Sequence, residues 1–297
     1  MKLKRILTLI AIALILTAVS LWIGRQAYYW LPPQASAESQ LVDNLFSFLV
    51  TLGAFIFLGV TGVVIYSVIF YRAGRYDISD GPPIEGNVTL EVVWTAIPLL
   101  LVFWIATYSY QTYEKMAIKG PMEIAHLHMP MEMEPAYAAP MDETVEPIEN
   151  IDVTAKQWAW VFHYPEKDIT SSELHLPVNR RVRLALRSQD VIHGFYIPAF
   201  RVKQDIIPQR TIDLEFTPIR LGKYRLRDSQ YSGTYFAAMQ TDVVVESLED
   251  YQKWLTQAAT LEPSPAPNQA AAEYALREKS AWATIVPVEA PLVNYHP

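Results

Sequence analysis

The chain has 297 residues, no cysteine and a formal net charge of −7, and 51% of its residues are hydrophobic. Its mean hydropathy of +0.11 is too high for an ordinary soluble domain and too low for a transporter with many spans. The lack of cysteine excludes disulfides, thiolate metal sites and lipid attachment through a thiol. No motif for nucleotide binding, zinc-dependent hydrolysis or nucleophilic catalysis occurs, and nothing indicates nucleic-acid binding. Composition therefore predicts a few spanning helices that carry one water-soluble module.

The first apolar run, Ile6 to Ile23, follows three basic residues at the amino terminus. Two interpretations of residues 1–37 stay open. The region is a signal peptide whose cleavage site is the small-residue stretch Ala35-Ser36-Ala37, or it is a first transmembrane helix, since about 20 apolar residues suffice to span a bilayer.

Two further apolar runs, Leu45 to Tyr71 and Val92 to about Tyr110, predict a transmembrane helical hairpin over residues 38–113. The loop between them opens with Arg72 and Arg75, which the positive-inside rule places in the cytoplasm. The chain beyond the hairpin is therefore predicted to lie on the outer side of the membrane.

Residues 114–150 are rich in Pro, Met and Glu without an apolar period, which predicts a linker. The linker also contains side chains that suit Cu(I), so a copper-handling role is an alternative to a plain linker. These side chains are Met122, His126, His128, Met129, Met131 and Met133.

Residues 151–255 alternate apolar and polar side chains in short runs broken by Pro and Gly, which predicts a β-sandwich. The predicted strands include Val182–Arg187, Thr211–Phe216, Lys223–Arg227 and Val243–Val245. The Pro- and Ala-rich residues 256–297 offer little to build a core, so we expect a disordered tail.

Four stretches in this order resemble subunit II of the haem-copper terminal oxidases. They are Glu91–Pro98 in the last apolar run, Gln157–Trp160, His193–Asp205, and the segment that ends at Met239. The resemblance implies a membrane-anchored all-β fold: two transmembrane helices, or three if the first segment is retained, followed by a cupredoxin-like β-sandwich.

The resemblance breaks at the metal site. Copper-bearing members hold a two-copper centre with two histidines, two bridging cysteines, a methionine and a backbone carbonyl. Here the matching positions are His193, Asp228, Gln230, Ser232, Phe236 and Met239. A mixed-valence copper pair needs bridging thiolates, which neither a serine nor a carboxylate replaces. The site is therefore predicted to be degenerate and metal-free. A single metal on His193, Met239 and Asp228 is the less favoured alternative, because few mixed ligands make a poor closed site.

The loop Ser229–Met239 looks like that of bacterial quinol oxidases, whereas Pro198–Asp205 looks more like the cytochrome c oxidase branch. The combination resembles the alternative terminal oxidases of cyanobacteria. It implies a subunit of a proton-translocating oxidase that is not catalytic alone and binds no cofactor. Haems and copper would reside in a partner subunit I, beside a subunit III, with quinol as donor. The complex would lie in a bacterial cytoplasmic or thylakoid membrane, with the C-terminal domain on the periplasmic or lumenal side.

Three residues have both a functional and a structural interpretation. Glu91 matches the glutamate at the mouth of a proton pathway in the family, but it is also placed where an interfacial carboxylate would end the apolar span. Trp158 matches a tryptophan that relays electrons to copper. Without copper, Trp158 and Trp160 are predicted to pack on one strand face against a partner or the core.

The leading hypothesis is a quinol oxidase subunit without the two-copper centre. One alternative is a cytochrome c or plastocyanin oxidase subunit that lacks its own copper. Another is a copper-handling assembly protein that uses the Met and His side chains of the linker.

Overall fold

The computed structural model describes residues 2–72, 74, 76, 86–116, 149–277 and 285–297. The Met and His cluster between residues 122 and 133, and most of the predicted linker, lie outside the described residues. The chain forms two compact units. One comprises Met1–Leu31 with Val42–Thr112, and the other comprises Pro32–Leu41 with Tyr113–Pro297.

The first unit consists of three helices, α1 (Lys2–Gln26), α2 (Ala37–Phe70) and α3 (Val88–Lys115). Each is long and apolar enough to cross a membrane. Most of their apolar side chains are exposed, as expected of surfaces that face lipid. The first apolar run is thus a third spanning-type helix, and the hairpin prediction is confirmed as α2 and α3.

Helix α1 packs on α2 through small and hydroxyl-bearing residues. A Cβ atom at Gly24 would collide with Oγ1 of Thr51, so only glycine permits this approach. Ser47 Oγ donates to the Gly24 carbonyl at 2.8 Å, and Tyr28 donates to Asn44 at 2.7 Å. The polar contacts satisfy groups that lipid could not hydrogen-bond.

The second unit is a sandwich of two five-stranded sheets, with orders β3-β2-β1-β5-β8 and β4-β10-β9-β6-β7. The predicted β-sandwich is confirmed, and all four predicted strands are present with ends that differ by at most three residues. The strands are β1 (Glu149–Lys156), β2 (Ala159–Tyr164), β3 (Ile169–Ser171), β4 (Leu174–Pro177), β5 (Val182–Ser188), β6 (His193–Ile197), β7 (Val202–Ile206), β8 (Ile212–Phe216), β9 (Gly222–Asp228) and β10 (Gln240–Glu246).

The core forms because alternate side chains of the strands point inward. In β5, Val182, Leu184 and Leu186 are buried, whereas Arg183 and Arg187 are exposed. Phe162, Phe195 and other rings complete the core. Burial of this apolar surface stabilises the sandwich by roughly 25 cal/mol for each Å² removed from water.

The residues that precede α2 are part of the sandwich unit. The Ala35 amide donates to the Ala199 carbonyl at 3.0 Å, the Ala37 amide donates to the Thr217 carbonyl at 2.9 Å, and Ser36 Oγ donates to the Phe200 carbonyl. Ala35 and Ser36 are fully buried. Close packing therefore accounts for the small residues that also suggested a cleavage site.

The expectation of a disordered tail over residues 256–297 is wrong for the residues that the structure describes. Helix α4 (Leu248–Ala258) continues into a two-stranded sheet of β11 (Ser264–Pro265) and β12 (Leu292–Val293), and helix α5 (Gln269–Arg277) lies between these strands in sequence. Ala266, Ala270 and Val293 are buried. Small residues and single aromatic contacts hold this segment, and they leave no periodic apolar pattern in the sequence.

Candidate functional site

The degenerate copper positions meet at one end of the second sheet. Strand β6 begins at His193 and its antiparallel neighbour β9 ends at Asp228, and Phe195 lies opposite Asp228 in the register. The loop 229–239 leaves β9 here and returns as β10. The sheet and this loop therefore bring His193, Asp228 and Ser232 together.

The Asp228 carboxylate is the centre of the site. Its Oδ2 atom lies 2.8 Å from Nδ1 of His193 and accepts from Oγ of Ser232 at 2.7 Å. Its Oδ1 atom accepts from the amides of Gly194 at 2.7 Å and Gln230 at 3.0 Å. Both oxygens are thus hydrogen-bonded, and the contacts join β6, β9 and the loop after β9.

The His193 side chain is fully buried between two carboxylates. Its Nε2 atom lies 2.8 Å from Oδ1 of Asp190, a residue that the sequence analysis missed. Burial lowers the pKa of His193, but the hydrogen bonds and charges of Asp228 and Asp190 outweigh it and raise this pKa above its usual 6.5. The site therefore favours an imidazolium ion.

Asp190 connects this pair to the hairpin between β1 and β2. Its Oδ2 atom accepts from the Gln157 amide at 2.7 Å and its Oδ1 atom accepts from the Val191 amide. Burial raises the pKa of Asp190, but the His193 hydrogen bond and the two amides outweigh it and lower the pKa overall. The one sequence signal for Asp190 was its place three residues before His193.

Trp158 and Trp160 both contact the site through their indole N–H groups. Trp158 donates to the Ser232 carbonyl at 3.1 Å, and Trp160 donates to the Met239 carbonyl at 3.3 Å. The two side chains are 2% and 3% exposed. Trp158 also meets the Tyr235 ring edge-on at 5.2 Å. The prediction that the two tryptophans share one strand face is wrong, because Trp158 lies in the turn between β1 and β2 and only Trp160 is on β2. Both side chains are buried in the core.

The side chains at the remaining copper positions contact other groups of the domain. Gln230 turns its side chain to Asp205, with Nε2 2.7 Å from Oδ2. Phe236 packs edge-on against the exposed ring of Tyr231 at 5.3 Å. Met239 is buried within the core cluster. The loop thus keeps a compact conformation through backbone and aromatic contacts.

The residues present do not fit a two-copper centre. The chain has no thiolate, both nitrogens of His193 are engaged by carboxylates, and both oxygens of Asp228 accept hydrogen bonds. Within the described part of the chain, no group of three or more His, Cys, Asp or Glu side chains is arranged to hold a metal ion. The arrangement is that of a buried ion-pair network.

Glu91, the other predicted site residue, belongs to the helical unit. It lies in the first turn of α3 and is half-buried. Asn87 Oδ1 caps this turn by accepting from the Leu90 amide at 3.2 Å. A carboxylate here is stabilised by the positive end of the helix dipole, whatever else it does.

Replacing Asp228 with Asn is expected to destabilise the protein by about 3–5 kcal/mol, because it removes the fully buried one of the two carboxylates that compensate the charge of His193. The loss depends on pH. A histidine whose folded pKa is raised stabilises fully below its unfolded pKa of about 6.5, and this contribution is lost as pH rises through the folded value. Chemical unfolding of the purified chain at about pH 6 and about pH 9 should show the larger loss at the lower pH.

Asp213→Asn is the matched control, since Asp213 pairs with Arg183 at 2.7 Å on the exposed surface. Surface pairs contribute about 0–1 kcal/mol. Equal losses in the two variants, or a loss at Asp228 that is independent of pH, would contradict the buried ion-pair description.

Trp158→Ala is expected to cost about 3–5 kcal/mol of stability, because it removes a fully packed aromatic ring and leaves a cavity. Tyr231→Ala, at a ring that is 78% exposed, should cost little. Thermal unfolding of both variants provides the measurement. A Trp158→Ala protein as stable as the Tyr231→Ala control would show that the ring does not support the fold.

Comparisons with known proteins agree with this fold. The family model described as the transmembrane domain of cytochrome c oxidase subunit II matches residues 20–112, and the model of its periplasmic domain matches residues 168–248. Cytochrome c oxidase subunit 2 of Synechocystis sp. is 36% identical, over 92% of this chain and 87% of its own length. Quinol oxidase subunit 2 of Bacillus subtilis is 28% identical, over 75% and 63%.

The crystal structure of the periplasmic domain of cytochrome oxidase subunit II from Bradyrhizobium japonicum matches with 28% identity and a TM-score of 0.36, and covers 38% of this chain and 94% of that chain. The cytochrome c oxidase subunit 2 of Thermostichus vulcanus is 35% identical, over 84% of this chain and 85% of its own length. The C-terminal domain of this membrane-anchored chain lies outside the membrane. The chain therefore belongs to the subunit II family of the haem-copper oxidases and is a component of a terminal oxidase complex.

Proposed function

We propose that this subunit serves a quinol-oxidising terminal oxidase and carries no copper of its own. The observation that supports the proposal best is the chemistry at the two positions where bridging thiolates would lie. Asp228 and Ser232 occupy them, and their side chains are hydrogen-bonded to each other and to His193. An electron from a soluble donor would find no metal in this domain to accept it.

In this proposal, electrons enter the complex through quinol bound by a partner subunit I, which also holds the haems and the oxygen-reducing copper, with subunit III beside it. This chain anchors and shapes the complex. The Bacillus subtilis relative that is named a quinol oxidase subunit supports this assignment. A domain held by buried ion pairs and an apolar core suits a structural role, because it needs no metal to fold.

A second candidate is a cytochrome c or plastocyanin oxidase subunit without its own copper. The names of the Synechocystis and Thermostichus relatives favour it. The chemistry disfavours it, because Trp158 donates to a carbonyl of a loop that has no thiolate to hold a copper pair. The third candidate, copper handling by the Met and His side chains of residues 122–133, depends on a segment outside the described residues.

The donor is testable on the purified complex. We expect rapid oxygen uptake with a reduced quinol and none with reduced cytochrome c or plastocyanin, since only quinol bypasses this domain. We also expect neither the multi-line mixed-valence copper resonance nor its near-infrared band. A copper-bearing terminal oxidase provides the positive control for the soluble donors and for the spectra.

Oxygen uptake that depends on a soluble donor and not on quinol would overturn the main proposal in favour of the second candidate. A mixed-valence signal that belongs to this subunit would contradict the copper-free description itself. The two outcomes are separate, because a copper-free subunit could still belong to either kind of oxidase.

We further propose that Glu91 delivers protons to the complex. Its place in the first turn of α3, after a loop that the basic residues assign to the cytoplasm, supports this role. Glu91→Gln should slow quinol-driven oxygen uptake several-fold without loss of assembly, because an amide cannot release a proton. Glu114→Gln, at an exposed carboxylate near the opposite end of the same helix, should leave turnover unchanged. Equal turnover in both variants would leave Glu91 a helix-terminal charge.

A further inference from the structure

The C-terminal segment, defined here as the described residues 259–277 and 285–297, completes the edge of the first sheet. The Tyr295 amide donates to the Thr170 carbonyl at 3.0 Å, and the Ser172 amide donates to the Tyr295 carbonyl at 3.1 Å. Asn294 Oδ1 accepts from the amide and the hydroxyl of Thr170. Strand β3 would otherwise expose its backbone groups, so the segment covers a surface that favours pairing with other chains.

A cluster of rings fixes the end of the segment. The Tyr295 ring lies edge-on to His175 at 5.3 Å and to Trp254 at 5.5 Å, and these two rings stack on each other at 3.9 Å. His175 lies between two carboxylates, with Nδ1 3.0 Å from Glu246 and Nε2 3.6 Å from Glu173. The contacts join the segment to both sheets and to α4.

From this edge the segment extends to the Trp158 hairpin. The Val288 amide donates to the Gln157 carbonyl at 2.9 Å, and the Arg277 guanidinium lies 5.4 Å from the centre of the Tyr235 ring. A cavity of about 460 Å³ lies below the segment. Its walls include Trp158, Trp160 and Met239 from the sandwich, and Ala266, Asn268 and Pro291 from the segment.

We infer that the C-terminal segment is a fixed intramolecular cover of the aromatic face formed by Trp158, Trp160 and Tyr235, and that this face is closed to soluble proteins. The three side chains are almost completely buried. A stable protein contact needs roughly 800 Å² of surface from each partner, and the covered face cannot provide it. The aromatic face is covered by this chain itself. A docking protein would first have to displace the C-terminal segment, which is attached to the sandwich at Val288 and Tyr295.

Closure of this face does not depend on the donor being a quinol, because it concerns only which surface of the domain is accessible. The contacts of the C-terminal segment also explain how it stays attached to the domain. Tyr295 is held by the ring cluster and by a backbone hydrogen bond to Thr170, and Val288 is held by a backbone hydrogen bond to Gln157. Residues 285–297 are therefore attached to the sandwich at two separate points.

Oxidative labelling of aromatic side chains by hydroxyl radicals, read residue by residue by mass spectrometry on the purified full chain, tests the cover. In the wild-type protein Trp158 and Trp160 should label as slowly as the buried Phe216, while the exposed Tyr231 labels fast. In a variant that ends at Ala258, labelling of both tryptophans should rise several-fold. Tyr295→Ala should also increase the labelling of both tryptophans, by a smaller factor. Leu292→Ala, at an exposed side chain of the same segment, should leave their labelling unchanged.

Hydrogen exchange on the wild-type chain gives an independent result that requires no variant. The amides of Val288 and Tyr295 should exchange slowly, because each donates to a carbonyl of the sandwich. Free exchange of these amides, or fast labelling of Trp158 in the wild type, would overturn the inference. Full protection of both tryptophans in the shortened chain and in Tyr295→Ala would also overturn it, since the sandwich alone would then bury them. Quinol oxidation is not part of these measurements, so their failure and that of the proposed function remain distinct.

Discussion

The pair of His193 and Asp228 joins two strands and the loop between β9 and β10 at one end of the sandwich. Asp228 ends β9, His193 begins β6, and Ser232 lies in the loop that returns to β10. The side chains of His193 and Ser232 both contact the Oδ2 atom of Asp228. Asp190 extends the network to Gln157, and Ser232 extends it to Trp158 through its carbonyl. The conformation of the loop and of the hairpin that carries Trp158 therefore depends on the buried ion pair of His193 and Asp228.

The same network lies at the positions that the family resemblance assigns to metal ligands. A metal at this end would draw one histidine and the loop ligands to a common point. Here the Asp228 carboxylate joins His193 to the loop by hydrogen bonds, and Asp228 and Asp190 together raise the pKa of His193. The ion pair is costly to break but contributes little over an apolar alternative, so its value lies in fixing one conformation of the loop.

Two segments far apart in sequence support the sandwich from outside its strands. Residues 35–38 lie against the loops at Ala199 and Thr217, and the C-terminal segment lies along β3 and the Trp158 hairpin. Both use backbone hydrogen bonds and small side chains. The first ties the chain between α1 and α2 to the outer domain, and the second removes an exposed sheet edge. Together they leave the domain with fewer open surfaces than a bare sandwich would have.

The sequence by itself determined the features that repeat along the chain or depend on composition. Runs of apolar residues marked the three helices, alternation marked strands β5, β8 and β9, and the absence of cysteine ruled out bridging thiolates in every possible alignment. Family positions also placed His193, Asp228 and Ser232 together, because the register of β6 and β9 follows from the fold. They did not show that the Gln230 side chain contacts Asp205 or that Phe236 packs against Tyr231.

Only the tertiary structure decided the role of Asp190, the packing of Ser36 and the position of the C-terminal segment. Each depends on a few contacts between distant residues, such as Thr170 with Asn294 across 124 positions and Ser36 with Phe200 across 164. A single tyrosine or serine that docks at one point leaves no period and no motif, so local patterns cannot reveal it. Its position is set by the shape of a surface that exists only after the strands have assembled.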